Sequence, residues 1–484
     1  MPLDITAIRR ETPATLANAY LNAGTNGPLP RAAAEAIAAA NAAQLSVGRI
    51  GPGVYEKSLT VSTELRAAFA RLLGAHDDEI ALTHHTTDGM NIAVWGQRYD
   101  PGDEIVTTSL EHPGGFMPVF AAANAAQLSV GRIGPGVYEN SLDISTELRR
   151  CFARLLGAHD DEIALTHHTT DGMNIAVWGQ RYDPGDEIVT TSLEHPGGFM
   201  PVFAAARRTG VRVRVVPVTV TDDGPATAEK VMAAVTPRTR LAVVSHVSWK
   251  SGVVLPLAPI AEQVHAVGGL LAVDGAQSAG AIPIDVRALD VDYYAIPGQK
   301  WLCGPEGVGA LYVRRERQAE TQQTYVGYPA LRDGTAYDDS GSYLAAATAK
   351  RYEVATVYKP ALVGMLASLR WQEELGRAAI YRRIQEVTHL CRESLAALPG
   401  VTVYTPASQA GLTSFNIDGV DPVQASARLG EMGVLIRSVS NPSLLRASTS
   451  FYNDEGDVER LARGVEEVIS EQLSVGKAPD DTAH

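Results

Sequence analysis

From residue 211 onward, short apolar runs alternate with stretches in which apolar positions recur every three or four residues. VRVRVVPV, LAVVSHV, LLAVDGAQ, DYYAIPG and GALYVR read as strands, and ATAEKVMAAV and PLAPIAEQVHAVG as helices. Strands apolar on both faces, separated by amphipathic helices, predict a mostly parallel sheet covered on both sides. Ligands of such a sheet bind at the carboxyl ends of its strands. Around residues 346–358 the pattern changes. Long helices over 360–375 and 378–398 lead to short strands at 401–404, 412–417, 434–440 and 444–449, then a helix over 457–471. The expected fold class is α/β, with a large sheet domain over 31–350 and a smaller α+β domain over 351–475. Segment 1–30 is expected to pack with the small domain. The polar tail 476–484, GKAPDDTAH, is expected to be disordered.

The first part of the chain holds a near-exact repeat. Residues 38–120 recur as 121–203, and only five of the 83 pairs differ: Lys57/Asn140, Thr60/Asp143, Val61/Ile144, Ala67/Arg150 and Ala68/Cys151. Each copy reads as several elements. In copy one these are a helix over 63–73, a strand over 79–83, a helix after Thr86 and a strand over 104–108. The unit is too long and too varied for a solenoid, so it reads as one duplicated piece of a larger α/β domain. A sheet has one slot per strand, so the copies compete. One should be integrated; the other should bulge out, pack on an edge or swap into a partner subunit. Copy two runs directly into the rest of the sheet, and short connections favour it.

Composition narrows the function classes. The chain has 484 residues and a formal net charge of −14, which argues against binding a phosphate backbone. Its length suits roughly two to three domains. The cysteines Cys151, Cys303 and Cys391 form neither a disulfide framework nor a metal-ligand spacing, so a reducing cytoplasm and no metal are expected. No apolar run is long enough to span a bilayer, and residues 1–23 do not read as a signal peptide.

Polar residues gather where strands end. Asp274 closes the apolar run LLAVD, and Lys300 follows DYYAIPGQ. A lysine against apolar surface has a lowered pKa and becomes a nucleophile. HTTDGMN, at 85–91 and 168–174, sets two threonines at a helix start, where free N–H groups suit a phosphate. EHP, at 111–113 and 194–196, and SHVSWKSG, at 245–252, also follow strands, and Arg446 can hold a carboxylate. Taken singly, each has a plainer reading: a surface lysine, a capping aspartate, a threonine N-cap, a loop histidine, a salt-bridging arginine.

Together, AVDGAQ, GQKWLCGPEGVG and LLRASTSFYN, with Thr-Thr, His and Ser at earlier strand ends, resemble the class V aminotransferase family of fold-type I pyridoxal-phosphate (PLP) enzymes. That family includes cysteine desulfurases, isopenicillin-N-epimerase-like proteins and ergothioneine-type C–S lyases. The resemblance runs from LNAGTNGPLP (21–30) to the last helix, and it fits the family's length once one repeat is removed, leaving 401 residues. It implies that Lys300 carries PLP as a Schiff base and moves the substrate α-proton. Asp274 would pair with the pyridine nitrogen, Gln277 contact the ring hydroxyl, His195 stack on the ring and Ser248 lie beside it. Thr169 and Thr170 would hold the phosphate, with Thr356 reaching that of a partner subunit. Asn26 and Arg446 would bind substrate. In copy one the equivalents are Thr86, Thr87 and His112. Where the family often has Ser-Gly-His before the lysine, this chain has Pro297-Gly298-Gln299, with Gln299 in the cofactor-binding set. The stretch VLIRSVSNPSLLR lacks the mobile-loop cysteine of a desulfurase.

The resemblance therefore implies a cytoplasmic homodimer acting at the α-carbon of an amino acid or small amine, epimerase- or C–S-lyase-like. A transaminase or decarboxylating deaminase is the alternative on the same fold. A non-catalytic paralogue, inactivated by the duplication, is an alternative of another class. A nucleotide-binding protein is disfavoured, because neither G-x-G-x-x-G nor G-x-x-x-x-G-K-[ST] occurs in the right context.

Overall fold

The computed structural model describes residues 4–17, 29–49, 53–97, 105, 137–332, 342–354, 358–407 and 410–475. It divides into two units, 1–82 with 430–435, and 83–429 with 436–484. In the first unit the described elements are helices, including Arg31–Val47 and Val54–Leu73.

The second unit is built on a seven-stranded sheet. Its strands are β1 (Ile163–Thr166), β2 (Glu187–Thr191), β3 (Arg212–Val216), β4 (Thr239–Ser245), β5 (Leu270–Asp274), β6 (Tyr293–Pro297) and β7 (Gly309–Val313), in the order β1-β7-β6-β5-β4-β2-β3. Strands β3, β2, β4, β5 and β6 pair in parallel. Only β7 runs against its neighbours, so the sheet is mostly parallel, as the alternating pattern predicts. Every residue of β2, β5, β6 and β7 is buried, because helices cover both faces.

A second sheet, in the order β10-β11-β9-β8, is antiparallel. It comprises β8 (Val401–Val403), β9 (Leu412–Ile417), β10 (Arg437–Val439) and β11 (Leu444–Ser448). Helices Lys359–Leu375, Arg377–Ala396 and Glu455–Val475 accompany it. Helix Pro422–Glu431 was not expected from the apolar pattern. Its start is signalled by Asp421, whose Oδ1 accepts from Val423 N and Gln424 N.

The two copies fold differently. The expected strand over 79–83 does not form: residues 80–83 have no regular structure, whereas their equivalents make β1. The expected strand over 104–108 lies outside the described residues except at 105; its copy-two equivalent is β2. Copy two takes the one slot beside β7. There, Leu165 N donates to Glu353 Oε1 (2.9 Å), and Arg149 grips the same carboxylate through Nε (2.8 Å) and NH2 (2.6 Å). Helix burial tells the same story. Leu148, Phe152, Leu155 and Leu156 of helix Val137–Leu156 are buried, while their copies Leu65, Phe69, Leu72 and Leu73 are exposed.

The helix Thr169–Trp178 shows why the slot is exclusive. A Cβ at Gly172 would lie 2.7 Å from Ala295 Cβ and 3.2 Å from a Leu311 methyl, so only glycine lets this helix close onto the sheet. At Gly89, the same position of copy one, nothing lies within 4 Å.

Candidate active site

The register of the parallel strands sets their carboxyl ends along one edge. Ser245 pairs with Asp274, and Asp274 with Ala295. Thr191 closes β2, and Lys300 follows the end of β6. Polar residues at these strand ends stand where ligands of a parallel sheet bind.

Five charged or titratable side chains interact at this edge, three from it and two, Arg437 and Arg446, from the second sheet. The electrostatic surroundings of Lys300 include Asp274, Arg446 and Arg437, and those of His195 include Lys300, Asp274, Arg437 and Arg446. Removal from water lowers the Lys300 pKa; Asp274 opposes this, and the two arginines reinforce it. Loss of hydration and the charge of Lys300 likewise hold the His195 imidazole below its ordinary value. Among the described residues the Lys300 ammonium has no hydrogen-bond or ion-pair partner, while its carbonyl accepts from Cys303 N (3.0 Å). Asp274 is buried at the end of β5, with Oδ1 accepting from Ala276 N (2.9 Å). Its Oδ2 is turned towards helix Pro196–Thr209, 3.4 Å from where a Gly198 Cβ would be.

Two helix starts meet beside these groups. Helix Thr169–Trp178 begins at Thr169, and helix Pro196–Thr209 is capped by His195, whose Nδ1 accepts from Gly197 N (3.1 Å). A Cβ at Gly197 would lie 2.4 Å from Thr170 Oγ1, so the starts touch through a glycine. Thr169 Oγ1 is buried without a partner. Two converging helix N-termini with an unspent hydroxyl form an anion cradle.

The remaining expected residues fall as follows. Gln277 is buried, its Oε1 accepting from Trp301 Nε1 (3.0 Å). Ser248 lies in the turn after β4, its Oγ accepting from Ser251 N (3.3 Å), and lines a small cavity with Thr191, Glu194 and Ser245. Gln299 has a buried Oε1 without a partner. Arg446 donates from NH1 to Trp249 O (2.6 Å), while its Nε is buried and unmet; burial and then Arg437 lower it to about 10. Asn26, Thr356 and His112 lie outside the described residues. Thr86 and Thr87 begin helix Thr86–Trp95, with Thr86 exposed and Thr87 against the Gly327 turn.

The residues present fit PLP. The unmet buried hydroxyl of Thr169 and the unmet Nε of Arg446 are donors that suit an anionic ligand. A depressed lysine and a buried carboxylate suit its aldehyde and its ring nitrogen.

Two residues that act on this site were not singled out from the sequence. Arg437 pairs with Arg446 across β10 and β11. The signal was available, because a hairpin turning at Asn441-Pro442 puts those positions opposite each other. Glu194, in EHP, accepts from Thr191 Oγ1 (2.7 Å) and Ser245 Oγ (2.5 Å). Burial pushes its carboxyl up to about 7, and Asp274 adds to the rise.

The aminotransferase class-V family profile matches residues 21–138 and 134–461. A probable cysteine desulfurase of Methanothermobacter thermautotrophicus is 30% identical over 355 residues, covering 69% of this chain and 87% of the relative. A cysteine desulfurase of Dickeya dadantii is 31% identical over 330 residues, covering 64% and 77%. Among solved structures, the cystine C–S lyase C-DES in complex with its product cysteine persulfide is 33% identical, with a TM-score of 0.65, covering 69% of this chain and 89% of that one.

Proposed function

We propose that this chain, which belongs to the aminotransferase class-V family and is a PLP-dependent enzyme, cleaves the carbon–sulfur bond of a disulfide amino acid such as cystine. The observation that carries this reading is the cross-strand pair Arg437 and Arg446 beside Lys300. Among the described residues neither guanidinium has a carboxylate partner. Arg446 is largely withdrawn from water and Arg437 is exposed beside it, so a substrate with a carboxylate at each end can meet both, the inner one deep and the outer one at the rim.

Lys300 would tether the cofactor, Asp274 would take its ring nitrogen, and Thr169, Thr170 and Gln299 would hold its phosphate. When bound, PLP supplies an electron sink for a bond broken at the substrate α-carbon. Arg446, set deeper than Arg437, would bind the carboxylate of the reacting half, fixing which α-bond is placed to break. Arg437, the more exposed, would bind the distal carboxylate. Lys300, nearer neutrality than an ordinary lysine, would take the α-proton. His195, kept neutral by its surroundings, can exchange a proton with the departing sulfur.

The sulfur would leave with the product. Cys151 and Cys391 are buried, Cys303 is held in the turn after Lys300 with its Sγ on Trp301 O (3.8 Å), and residues 434–446 contain no cysteine to receive it. Cystine and water would give pyruvate, ammonia and cysteine persulfide: the Cβ–S bond breaks, the electron pair stays with sulfur, and the three-carbon enamine hydrolyses. The test is product analysis of the PLP-loaded protein with cystine and, separately, with cysteine. Pyruvate and persulfide in equal amounts from cystine, with little alanine from cysteine, support the reading. Alanine and sulfide from cysteine as the main turnover would overturn it.

A further inference from the structure

The two copies touch each other, and the contact has the form of a two-fold axis. His84 and His167, the same position in each copy, stack with ring centroids 3.9 Å apart and planes 2° from parallel. The crosswise distances match: His84 to His168 is 5.9 Å, and His85 to His167 is 5.9 Å. Each stacked ring is held alike, His84 Nδ1 by Asp88 Oδ2 (2.9 Å) and His167 Nδ1 by Asp171 Oδ2 (3.0 Å). A contact in which residue i meets j while j meets i is isologous, the kind that two identical subunits make.

The helices behind these histidines share one sequence, TTDGMNIAVW, yet bury different faces. In copy two Thr169, Gly172, Met173, Ile175, Ala176 and Val177 are buried, and Gly172 closes onto the sheet; only the Val94/Val177 position is buried in both copies. In copy one Thr87, Asp88, Asn91 and Val94 are buried, while Ile92, the copy of Ile175, is exposed. Copy one thus packs through the side that copy two does not spend on the sheet. Asn91 Oδ1 accepts from Val326 N (3.4 Å), and Thr87 lies against Gly327.

We propose that helix Thr86–Trp95 stands in for a second subunit: copy one closes, within a single chain, a self-complementary contact on copy two that would otherwise join two chains. The duplication then supplies its own partner at that face, and a second copy of this chain does not pair there.

The test uses the full-length protein with His84→Cys and His167→Cys, singly and together, under mild oxidation. The double variant should form a disulfide within one chain, seen as a non-reduced monomer of altered mobility that has lost two thiols. Neither single variant should link chains. A covalent dimer from the double variant or from either single variant, or no link at all in a folded double variant, would overturn the proposal. Should the cysteine variants fail to fold, His84→Ala and His167→Ala in a double-mutant cycle of thermal unfolding give the answer instead. A coupling unchanged over a hundredfold range of protein concentration agrees with the contact being within the chain. A coupling that is absent, or that changes with concentration, contradicts it.

Discussion

Arg437 and Arg446 face each other across the antiparallel pair β10–β11, two cations that both act on Lys300. Their separate roles can be read from kinetics. Arg437→Ala should raise KM for cystine about 10- to 100-fold with kcat nearly unchanged, since a charge-assisted hydrogen bond to a distal group contributes about 1.5–3 kcal/mol. The same change should hardly affect an amino acid with one carboxylate. Arg446→Ala should lower kcat/KM for both. Equal losses from Arg437→Ala on both substrates would remove it from the distal site.

The duplication offers a paired stability experiment on identical sequence. Gly172→Ala drives a methyl into Ala295 and Leu311 and should cost about 1–3 kcal/mol. Gly89→Ala, on an open helix position, should be neutral or stabilise by up to about 1 kcal/mol. Likewise Leu156→Ala should cost about 2–5 kcal/mol, and Leu73→Ala little. Urea unfolding measures all four; equal costs within each pair would contradict the seating of copy two in the sheet.

A buried charge cluster sets the pH dependence. Asp292 is fully buried and accepts from His265 Nε2 (2.7 Å), Leu271 N (2.8 Å) and Arg317 Nε (3.0 Å). Burial raises its carboxyl, but these bonds outweigh that and hold it below 3.8. Its share of stability is therefore present above about pH 4 and lost as pH falls through its folded value. The bond to Asp292 lifts His265 above 6.5, so that share is full below 6.5 and fades as pH rises through the raised value. Asp292→Asn should cost about 3 kcal/mol near pH 5, with the gap from wild type narrowing at both ends. Unfolding curves from pH 3 to 8 test this, and a gap constant with pH would contradict it.

What could be read in the sequence follows the physics of each signal. Asp274 and Lys300 were legible because an apolar strand must end, and a polar residue there faces the ligand edge. The sheet was legible from its apolar runs, including the antiparallel β7 as a strand though not its direction. For the seating of the repeat, connection length alone favoured copy two, since the copies are the same chemistry. Only their surroundings, Ala295 and Leu311 against Gly172 and Glu353 on Arg149, separate them. Arg437 went unnoticed because its meaning comes from hairpin register, which apolar pattern alone does not fix.

The tether at Lys300 is tested most directly by borohydride reduction of the PLP-loaded protein, followed by peptide mapping. One reduced cofactor per chain, on the peptide containing Lys300, is expected, with none on Lys300→Ala. A label on Lys250 or another lysine, or an unchanged yield from Lys300→Ala, would contradict the assignment.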